Sequence, residues 1–277
     1  MRNVDLHCHS TVSDGLLSPT AVVDLAARGG VDMLALTDHD DVAGLAEAGV
    51  AATARGIRLI PGVEISVTWD RLTIHVVGLR IDPQHPALLA GLAAIRAGRR
   101  LRAERMAEDL ARAGIPGALA GARAFASSDE MIGRTHFARF LVQQGRARNV
   151  AAVFRRYLVR GKPGYVAHAW VSLDDALGWI HAAGGVAVLA HPGRYKVGSE
   201  GMRRLLLDFR ALGGKAVEVV TGNHTREQVS RFAGLAEAYG FACSRGSDYH
   251  GPGESFTLPG QLPPLPAGCV PVWQAFA

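Results

Sequence analysis

Thiols, aromatic side chains and long apolar runs are scarce in this chain. Three cysteines among 277 residues (Cys8, Cys243 and Cys269) are too few for a disulfide framework or a thiolate zinc cluster, so any metal must be bound by nitrogen and oxygen. No run approaches the roughly 18 consecutive apolar residues of a membrane-spanning helix. A strand pattern starts at Val4 with no apolar segment typical of a signal peptide, which predicts a cytoplasmic location.

The positive charge is concentrated in one segment of the chain. Hydrophobic residues make 48% and charged residues 20%, values that exclude a disordered chain and indicate a folded core. The net charge is +5, yet residues 99–162 carry fourteen Arg or Lys against five Asp or Glu. That segment therefore has a charge of +9, and the rest of the chain sums to −4. A basic segment on an acidic body favours an anionic ligand, although many of these arginines are expected to be solvated on helix surfaces.

Strand and helix patterns alternate along most of the sequence. Strands are predicted at 4–9, 33–37, 58–67, 73–80, 186–191, 216–221 and 241–247, and helices at 19–28, 42–55, 173–183, 200–212 and 225–239. Ser18 and Pro19 mark the first helix start, and Asp40 or Asp41 is expected to cap the second. This alternation predicts an α/β fold of parallel βαβ units, with about seven strands in a closed or nearly closed barrel. An open doubly wound sheet is the alternative.

The alternation is interrupted over residues 99–163, which contain no clear strand. Helical patterns cover 101–113, 135–145 and 151–159. Such a length is too great for a structureless loop, so we predict a small basic helical subdomain inserted at 99–163. The barrel domain would then comprise residues 1–98 and 164–277.

Six of the eleven histidines lie at predicted strand ends, close to carboxylates. His7 and His9 point to one side of the first strand because side chains alternate with a period of two. In a parallel barrel the carboxyl ends of all strands meet at one face, where these groups would converge. The expected set is His7, His9, Asp14, His39, Glu64, His75, His191, Asp248 and His250. Nine such ligands exceed the needs of one ion and predict two or three divalent metal ions, with Mn²⁺, Zn²⁺ and Fe²⁺ all compatible.

The order of these motifs resembles the PHP (polymerase and histidinol phosphatase) metal-dependent phosphoesterases. The motifs are His-x-His at residue 7, Ser-Asp-Gly at 13, Thr-Asp-His-Asp at 37, Pro-Gly-x-Glu at 61, His75, Ala-His-Pro at 190 and Ser-Asp-x-His at 247. The resemblance implies a distorted, TIM-like (β/α)7 barrel with a trinuclear metal site. It assigns His7, His9, Glu64 and Asp248 to one ion, Glu64, His75 and His191 to a second, and Asp14, His39 and His250 to a third.

Two motifs in and after the insertion resemble a narrower branch of stand-alone PHP proteins. They are Gly-Arg-Thr-His-Phe-Ala at residue 133 and Gly-Lys-Pro-Gly-Tyr-Val at 161. Members of that branch remove the 3'-phosphate of nucleoside 3',5'-bisphosphates or trim short RNA from its 5' end. The first activity is the main expectation and the 5'-3' exoribonuclease the alternative, followed by a histidinol-phosphate-type phosphatase and a non-catalytic metal-binding module.

The mechanism expected from the metal site is in-line attack on phosphorus by a metal-bridging hydroxide, with Mn²⁺ the favoured ion. Catalysis is assigned to Asp248, His191 and Arg194. Phosphate binding is expected from Arg194, Arg134 and Lys162, because cations must face the reacting phosphoryl group. The two arginines are the first choices, since a guanidinium binds phosphate bidentately whereas lysine acts as a point charge. Weaker candidates for substrate binding are His136, Arg160, Asn223 and His224.

The expected partner is a small nucleotide or short RNA. Aromatic residues make only 6% of the chain and no nucleic-acid-binding motif is present, which argues against long duplex DNA. No membrane contact and no obligate protein partner are expected.

Overall fold

The computed structural model describes residues 2–276, whose strands form one strongly curved sheet. The strands are β1 (Val4–Asp5), β2 (Met33–Leu36), β3 (Arg58–Trp69), β4 (Leu72–Leu79), β5 (Val171–Ser172), β6 (Val186–Leu189), β7 (Ala216–Thr221) and β8 (Ala242–Gly246). Their order is β1-β2-β3-β4-β6-β7-β8, and β5 pairs with the end of β3. The prediction of a mixed α/β barrel with seven strands around its wall is confirmed.

Strand β4 departs from the expected parallel arrangement. It pairs antiparallel with both β3 and β6. Only Asp70 and Arg71 join β3 to β4, and both have left-handed φ angles, of 43° and 65°. A two-residue turn of this kind produces a hairpin, whereas a parallel neighbour requires a long crossover. The expectation that every strand is parallel is therefore wrong for β4, and this hairpin distorts the barrel.

The barrel closes where the two ends of the chain meet. Beyond β1, the backbone N–H of Leu6 donates to the carbonyl oxygen of Arg245 over 3.0 Å, and that of His9 donates to the carbonyl of Tyr249 over 2.9 Å. Cys8 and Tyr249 form a parallel bridge between these segments. The first and last strands are thereby joined, and the polar groups that follow them lie side by side.

The helices surround the barrel and extend into a second layer. They are α1 (Pro19–Arg28), α2 (Leu45–Arg55), α3 (Pro86–Arg112), α4 (Ala118–Arg123), α5 (Arg134–Gln143), α6 (Val150–Val153), α7 (Leu173–Ala182), α8 (Ser199–Ala211) and α9 (Arg226–Tyr239). As predicted, the Ser18 hydroxyl caps α1, accepting from the backbone of Ala21. Helix α2 instead starts at Leu45 without a side-chain cap. The expected capping role of Asp40 is wrong, because its carboxylate pairs with Arg99 in the interior.

The helical region has a hydrophobic core of its own. Met106 and Leu110 on α3 pack with Phe137 and Leu141 on α5 and with Leu158, apart from the main core of the barrel. Helix α3 starts at Pro86 and runs without a break through residue 99, where the domain boundary was placed. The division into two domains stays a prediction, but no chain break or linker marks that position.

Within residues 2–276, no helix is both long enough and apolar enough to cross a bilayer.

Candidate metal centre

Loops at one rim of the barrel, together with strands β3 and β4, bring the nine predicted side chains together, and we call this set the rim cluster. His7 and His9 follow β1, His39 follows β2, and Asp248 and His250 follow β8. His75 lies near the start of β4, and because β4 is antiparallel, that start faces the same rim. The backbone N–H of Ala190 donates to the carbonyl of His75 over 3.1 Å, which places His191 beside it. The reversed strand therefore still delivers its histidine to the cluster.

Glu64 is at the centre of the rim cluster and is fully buried. Its Oε1 lies 2.8 Å from His75 Nδ1 and 2.9 Å from His191 Nε2. Its Oε2 lies 3.3 Å from the Nε2 atoms of both His7 and His9. The same Oε2 lies 2.9 Å from His39 Nδ1, so one carboxylate faces the imidazole nitrogens of five histidines, a geometry suited to bridging cations.

Asp248 is buried and links the rim cluster to Arg194. Its Oδ1 lies 3.3 Å from His9 Nε2, while Arg194 Nη1 donates to its Oδ2 over 2.7 Å. Both Asp248 and His191 adopt left-handed backbone conformations, with φ of 53° and 28°. Such strain in non-glycine residues concentrates at functional sites, where the surrounding fold holds it.

Asp14 completes the cluster from the loop after β1. Its Oδ1 lies 3.3 Å from His250 Nε2 and 3.9 Å from His39 Nε2. The loop is fixed by Asp38, which accepts hydrogen bonds from the hydroxyls of Ser10 (2.7 Å) and Ser13 (2.6 Å). Asp38 therefore positions Asp14 without joining the cluster.

Three overlapping groups in the rim cluster have ligand atoms within 4.8 Å of one another. They are His7, His9, Glu64 and Asp248; His9, Asp14, His39 and His250; and His39, Glu64 and His75. The first matches the set implied by the resemblance. The other two differ from it, because His39 and His9 each belong to two groups, while His191 reaches the cluster through Glu64.

The donor atoms fit bound cations. Glu64 Oε2 lies 2.9 Å from His39 Nδ1, and Asp14 Oδ1 lies 3.3 Å from His250 Nε2, yet these two buried oxygens and His39 Nδ1 make no hydrogen bond of good geometry with the described residues. Leaving a buried carboxylate oxygen unpartnered costs free energy, and a coordinated cation removes that cost. Nitrogen and oxygen donors without thiolate suit Mn²⁺, Zn²⁺ or Fe²⁺. The clusters are thus able to bind metal.

The electrostatics of the cluster keep its acids ionised. Burial alone would raise the pKa of Glu64, yet His39, His75 and His7 hold it well below its ordinary value. Asp248 likewise has a strongly lowered pKa, because His250 and His7 outweigh burial. Burial lowers the pKa of His9 to about 3, whereas Asp14 and Asp248 overcome burial and raise that of His250 to about 9. A metal ion would replace the proton on such a histidine.

The predicted substrate-binding residues divide into two groups. Arg134 and Arg194 line a cavity of about 120 Å³ over the cluster, and Asn223 lines an adjoining groove. The other predicted residues, which line neither space, are His136, His224, Arg160 and Lys162.

Each of those four residues has another environment. The Nδ1 of His136 is a buried acceptor for the backbone N–H of Gly133. His224 accepts from the backbone N–H of Gly193 over 3.0 Å and so supports the loop that carries Arg194. Arg160 and Lys162 are exposed on the loop after the π-helical turn Phe154–Leu158.

Sequence reasoning missed two arginines of the cavity wall, Arg99 and Arg102, which lie beside Trp170. We call these three residues, together with Arg134, the cationic wall. The guanidinium groups of Arg99 and Arg102 lie 4.8 Å and 5.4 Å from the centroid of the Trp170 ring. Burial, with Arg134 and Arg99 nearby, lowers the pKa of Arg102 to about 9. Three arginines at positions 96, 99 and 102 share one face of a helix, but this spacing alone does not indicate whether that face turns toward the cavity or toward solvent.

Sequence reasoning also missed Glu218, a buried carboxylate in the middle of β7. His7 Nδ1 lies 2.8 Å from its Oε1, and its Oε2 accepts the backbone N–H of His191 over 2.6 Å. One side chain therefore orients residues from two sides of the barrel. The signal was available, since a glutamate inside the apolar run Ala-Val-Glu-Val-Val requires a buried partner.

Comparison with known proteins agrees with this geometry. A family model described as the PHP domain matches residues 5–161. A 3',5'-nucleoside bisphosphate phosphatase of Chromobacterium violaceum is 52% identical over 274 residues, covering 99% of this chain and 96% of the relative. A 5'-3' exoribonuclease of Haemophilus influenzae is 43% identical over 275 residues, covering 99% of both chains.

The fold has a solved counterpart as well. The structure of an amidohydrolase from Chromobacterium violaceum, with bound sulfate and no metal, superposes with a TM-score of 0.96 at 52% identity, covering 99% of this chain and 95% of the other. Together these matches span every side chain of the rim cluster, and the chain belongs to the PHP domain family.

Proposed function

We propose that this protein hydrolyses the 3'-phosphate of nucleoside 3',5'-bisphosphates. The observation that carries the proposal is a second site for anions beside the rim cluster. Arg102 and Arg134 line the same cavity of about 120 Å³ and form no ion pair with a described carboxylate. Guanidinium groups without a carboxylate partner favour a bound phosphate, and a substrate with two phosphates supplies one to each site.

The nine side chains of the rim cluster are proposed to hold two or three divalent ions. Bound metal would lower the pKa of water to yield hydroxide and would neutralise phosphoryl oxygens. Mn²⁺ is the favoured ion, with Zn²⁺ and Fe²⁺ as the other candidates. The unpartnered oxygens of Glu64 and Asp14 support this role.

Arg194 is proposed to bind the reacting phosphoryl group. It lines both the cavity and the adjoining groove, and its ion pair with Asp248 fixes one edge of the guanidinium. The remaining N–H groups can donate to non-bridging oxygens, as a planar guanidinium does in phosphate sites. Asp248 and His191 would then act as ligands that are held in place by Arg194 and Glu218.

Hydrolysis of short RNA from its 5' end is the second candidate. The Haemophilus influenzae relative is named as a 5'-3' exoribonuclease, and the chemistry at phosphorus is the same in both reactions. A histidinol-phosphate-type substrate fits less well, because the cationic wall would repel its ammonium group.

A substrate panel with metal analysis tests the proposal. Protein with its metal content measured by elemental analysis would be assayed on adenosine 3',5'-bisphosphate, adenosine 3'-monophosphate, a 5'-phosphorylated RNA trimer and histidinol phosphate. We expect the highest kcat/KM for the bisphosphate, loss of turnover on chelation and recovery with Mn²⁺. Preference for histidinol phosphate, or no turnover by metal-replete protein, would contradict the proposal.

A further inference from the structure

An open groove adjoins the metal centre, and we call it the outer groove. Its volume is about 670 Å³, against about 120 Å³ for the cavity over the rim cluster. The two spaces share the lining residues Thr135, Phe154, Arg194, Asp248 and His250. The outer groove therefore opens directly onto the position proposed for the reacting phosphate.

The charges that line the outer groove are paired. Arg194 is bound to Asp248, and Glu254 receives two hydrogen bonds of 2.8 Å from Arg139. Neutral hydrogen-bonding groups such as Asn223 also line it. In the cationic wall, in contrast, the guanidinium groups of Arg102 and Arg134 have no carboxylate partner among the described residues, while Arg99 is paired with Asp40. The outer groove thus suits an uncharged group, such as a base with its ribose, and the cationic wall suits a phosphate.

Two phenylalanines flank the outer groove. Phe154 starts the π-helical turn Phe154–Leu158, a local widening of the helix that is frequent at functional sites. Phe256 is 92% exposed, the highest value among the exposed large hydrophobic side chains. An aromatic ring that packs against so little of its own protein is available for stacking, and base–aromatic stacking tolerates any base.

We infer that the outer groove binds the nucleoside immediately downstream of the scissile phosphate in an RNA substrate, with its base stacked on Phe256. This inference rests on the proposed function and deepens it. It concerns the RNA substrate alone, because a nucleoside bisphosphate has no nucleoside beyond the scissile phosphate. The 5'-phosphate of the first nucleotide lies at the cationic wall, and the chain continues past the rim cluster into the outer groove. Phe256 then determines how well RNA competes with the mononucleotide.

The reaction balances in the same way for both substrates. Water supplies an oxygen that forms a bond to phosphorus, and the bond from phosphorus to the 3'-oxygen of the first nucleotide breaks. That oxygen takes a proton from the attacking water, which releases a 5'-mononucleotide with a free 3'-hydroxyl. The second product is inorganic phosphate from the bisphosphate, and 5'-phosphorylated RNA from the oligonucleotide.

The test compares Phe256→Ala with wild-type protein on adenosine 3',5'-bisphosphate and on a 5'-phosphorylated diadenosine ribonucleotide. We expect kcat/KM for the dinucleotide to fall about tenfold, the order of one lost stacking contact, and that for the bisphosphate to stay within about twofold. Val50→Ala removes another exposed apolar side chain, 76% exposed on α2, and should change neither value.

A dinucleotide whose second residue is abasic isolates the stacking interaction. Wild-type protein should hydrolyse it as slowly as Phe256→Ala hydrolyses the intact dinucleotide, and the substitution should add no further loss. Equal losses on the bisphosphate and the dinucleotide, or no loss on either, would overturn the inference.

Failure of the proposed function would show differently, as absent turnover of the bisphosphate by wild-type protein. In that case, the Kd of a fluorescein-labelled 5'-phosphorylated dinucleotide would be measured in EDTA for wild-type protein and for Phe256→Ala. An unchanged Kd in Phe256→Ala would then overturn the inference, and a Kd weakened about tenfold would support it.

Discussion

The rim cluster and the cationic wall face each other across one cavity but are built in opposite ways. Side chains of the rim cluster come from loops and from strands β3 and β4 of the barrel, and they contact one another through Glu64 and Asp248. The cationic wall comes from α3, the start of α5 and the segment before β5, and the guanidinium groups of Arg99 and Arg102 lie against Trp170. One region is crowded with acids and imidazoles, and the other holds two guanidinium groups, those of Arg102 and Arg134, without a carboxylate partner among the described residues. The arrangement separates the binding of cations from the binding of the substrate's anionic groups.

Because the two regions differ in this way, substitutions in the rim cluster should change mainly the rate of hydrolysis, and substitutions in the cationic wall should change mainly the affinity for substrate. Removing a carboxylate from the rim cluster removes a charge that cations need, so the rate should respond most strongly. Removing an arginine from the cationic wall weakens the contact with a distant phosphate, so substrate capture should respond. Substitutions in the two regions test whether this separation holds.

Asp248→Asn should have the largest effect. It keeps the shape of the side chain but removes the negative charge from the rim cluster, so we expect kcat/KM to fall by roughly a thousandfold, together with the metal content. Steady-state kinetics, elemental analysis and circular dichroism would check this. Asp174→Asn, an exposed acid on α7, is the matched control. Activity within tenfold of wild type would remove Asp248 from the proposed ligand set.

Arg102→Met tests the other side of the comparison. Methionine fills a similar volume without charge, so KM for adenosine 3',5'-bisphosphate should rise about a hundredfold while kcat changes less, as for a lost charge-assisted hydrogen bond. Hydrolysis of adenosine 3'-monophosphate, which lacks the second phosphate, should be nearly unaffected. Arg105→Met on the exposed face of the same helix is the control. Equal losses on both substrates would show that Arg102 does not bind the 5'-phosphate.

Glu218→Gln addresses the support of the rim cluster. Glutamine keeps one carbonyl acceptor but cannot serve both His7 and the backbone of His191, so the affinity for Mn²⁺ should fall by roughly tenfold. Calorimetric titration of apo protein measures this without turnover. Glu237→Gln, exposed on α9, should leave the affinity unchanged. An unaltered Mn²⁺ affinity in Glu218→Gln would mean that β7 does not orient the ligands.

His136→Asn should act on the stability of the helical region. Burial, with Arg139 and Arg99 nearby, lowers the pKa of His136 to about 4. The unfolded chain takes up a proton near pH 6.5 and the folded chain does not, so the free energy of unfolding decreases as the pH falls from 6.5 to 4. Between pH 7.5 and pH 4.5 the free energy of unfolding of the variant should therefore fall by roughly 2 kcal/mol less than that of the wild-type protein, as measured by urea denaturation. Identical pH dependence in both proteins would contradict a buried neutral histidine.

The rim cluster was predictable because its signals are local. His7 and His9 show a period of two at a strand end, and Asp248 and His250 repeat it on the last strand. Such pairs need only the strand direction to determine where they point. The antiparallel direction of β4 could not be inferred from His75. His75 still joins the rim cluster, because the start of an antiparallel strand lies at the same rim as the ends of the parallel strands.

The cationic wall was harder to predict because its members meet only through tertiary packing. Arg134 was identified, but Lys162 and Arg160 lie on an exposed loop, and Arg102 was indistinguishable from other arginines on α3. Which arginines turn inward depends on how the long helix crosses the barrel, and on Trp170 from a distant segment. The helical period shows which residues share a face of the helix, but it does not predict which part of the protein packs against that face.

The pairing of the segments that follow β1 and β8, near the two ends of the chain, has a consequence for biosynthesis. Ser247 donates to Asp5 across 242 positions, and the imidazoles of the first strand meet the acid of the last one there. A nascent polypeptide on the ribosome therefore lacks a finished metal-binding pocket until nearly all of it has been translated. Truncated products would not acquire hydrolytic activity, and the final closure across so long a loop should dominate the folding time.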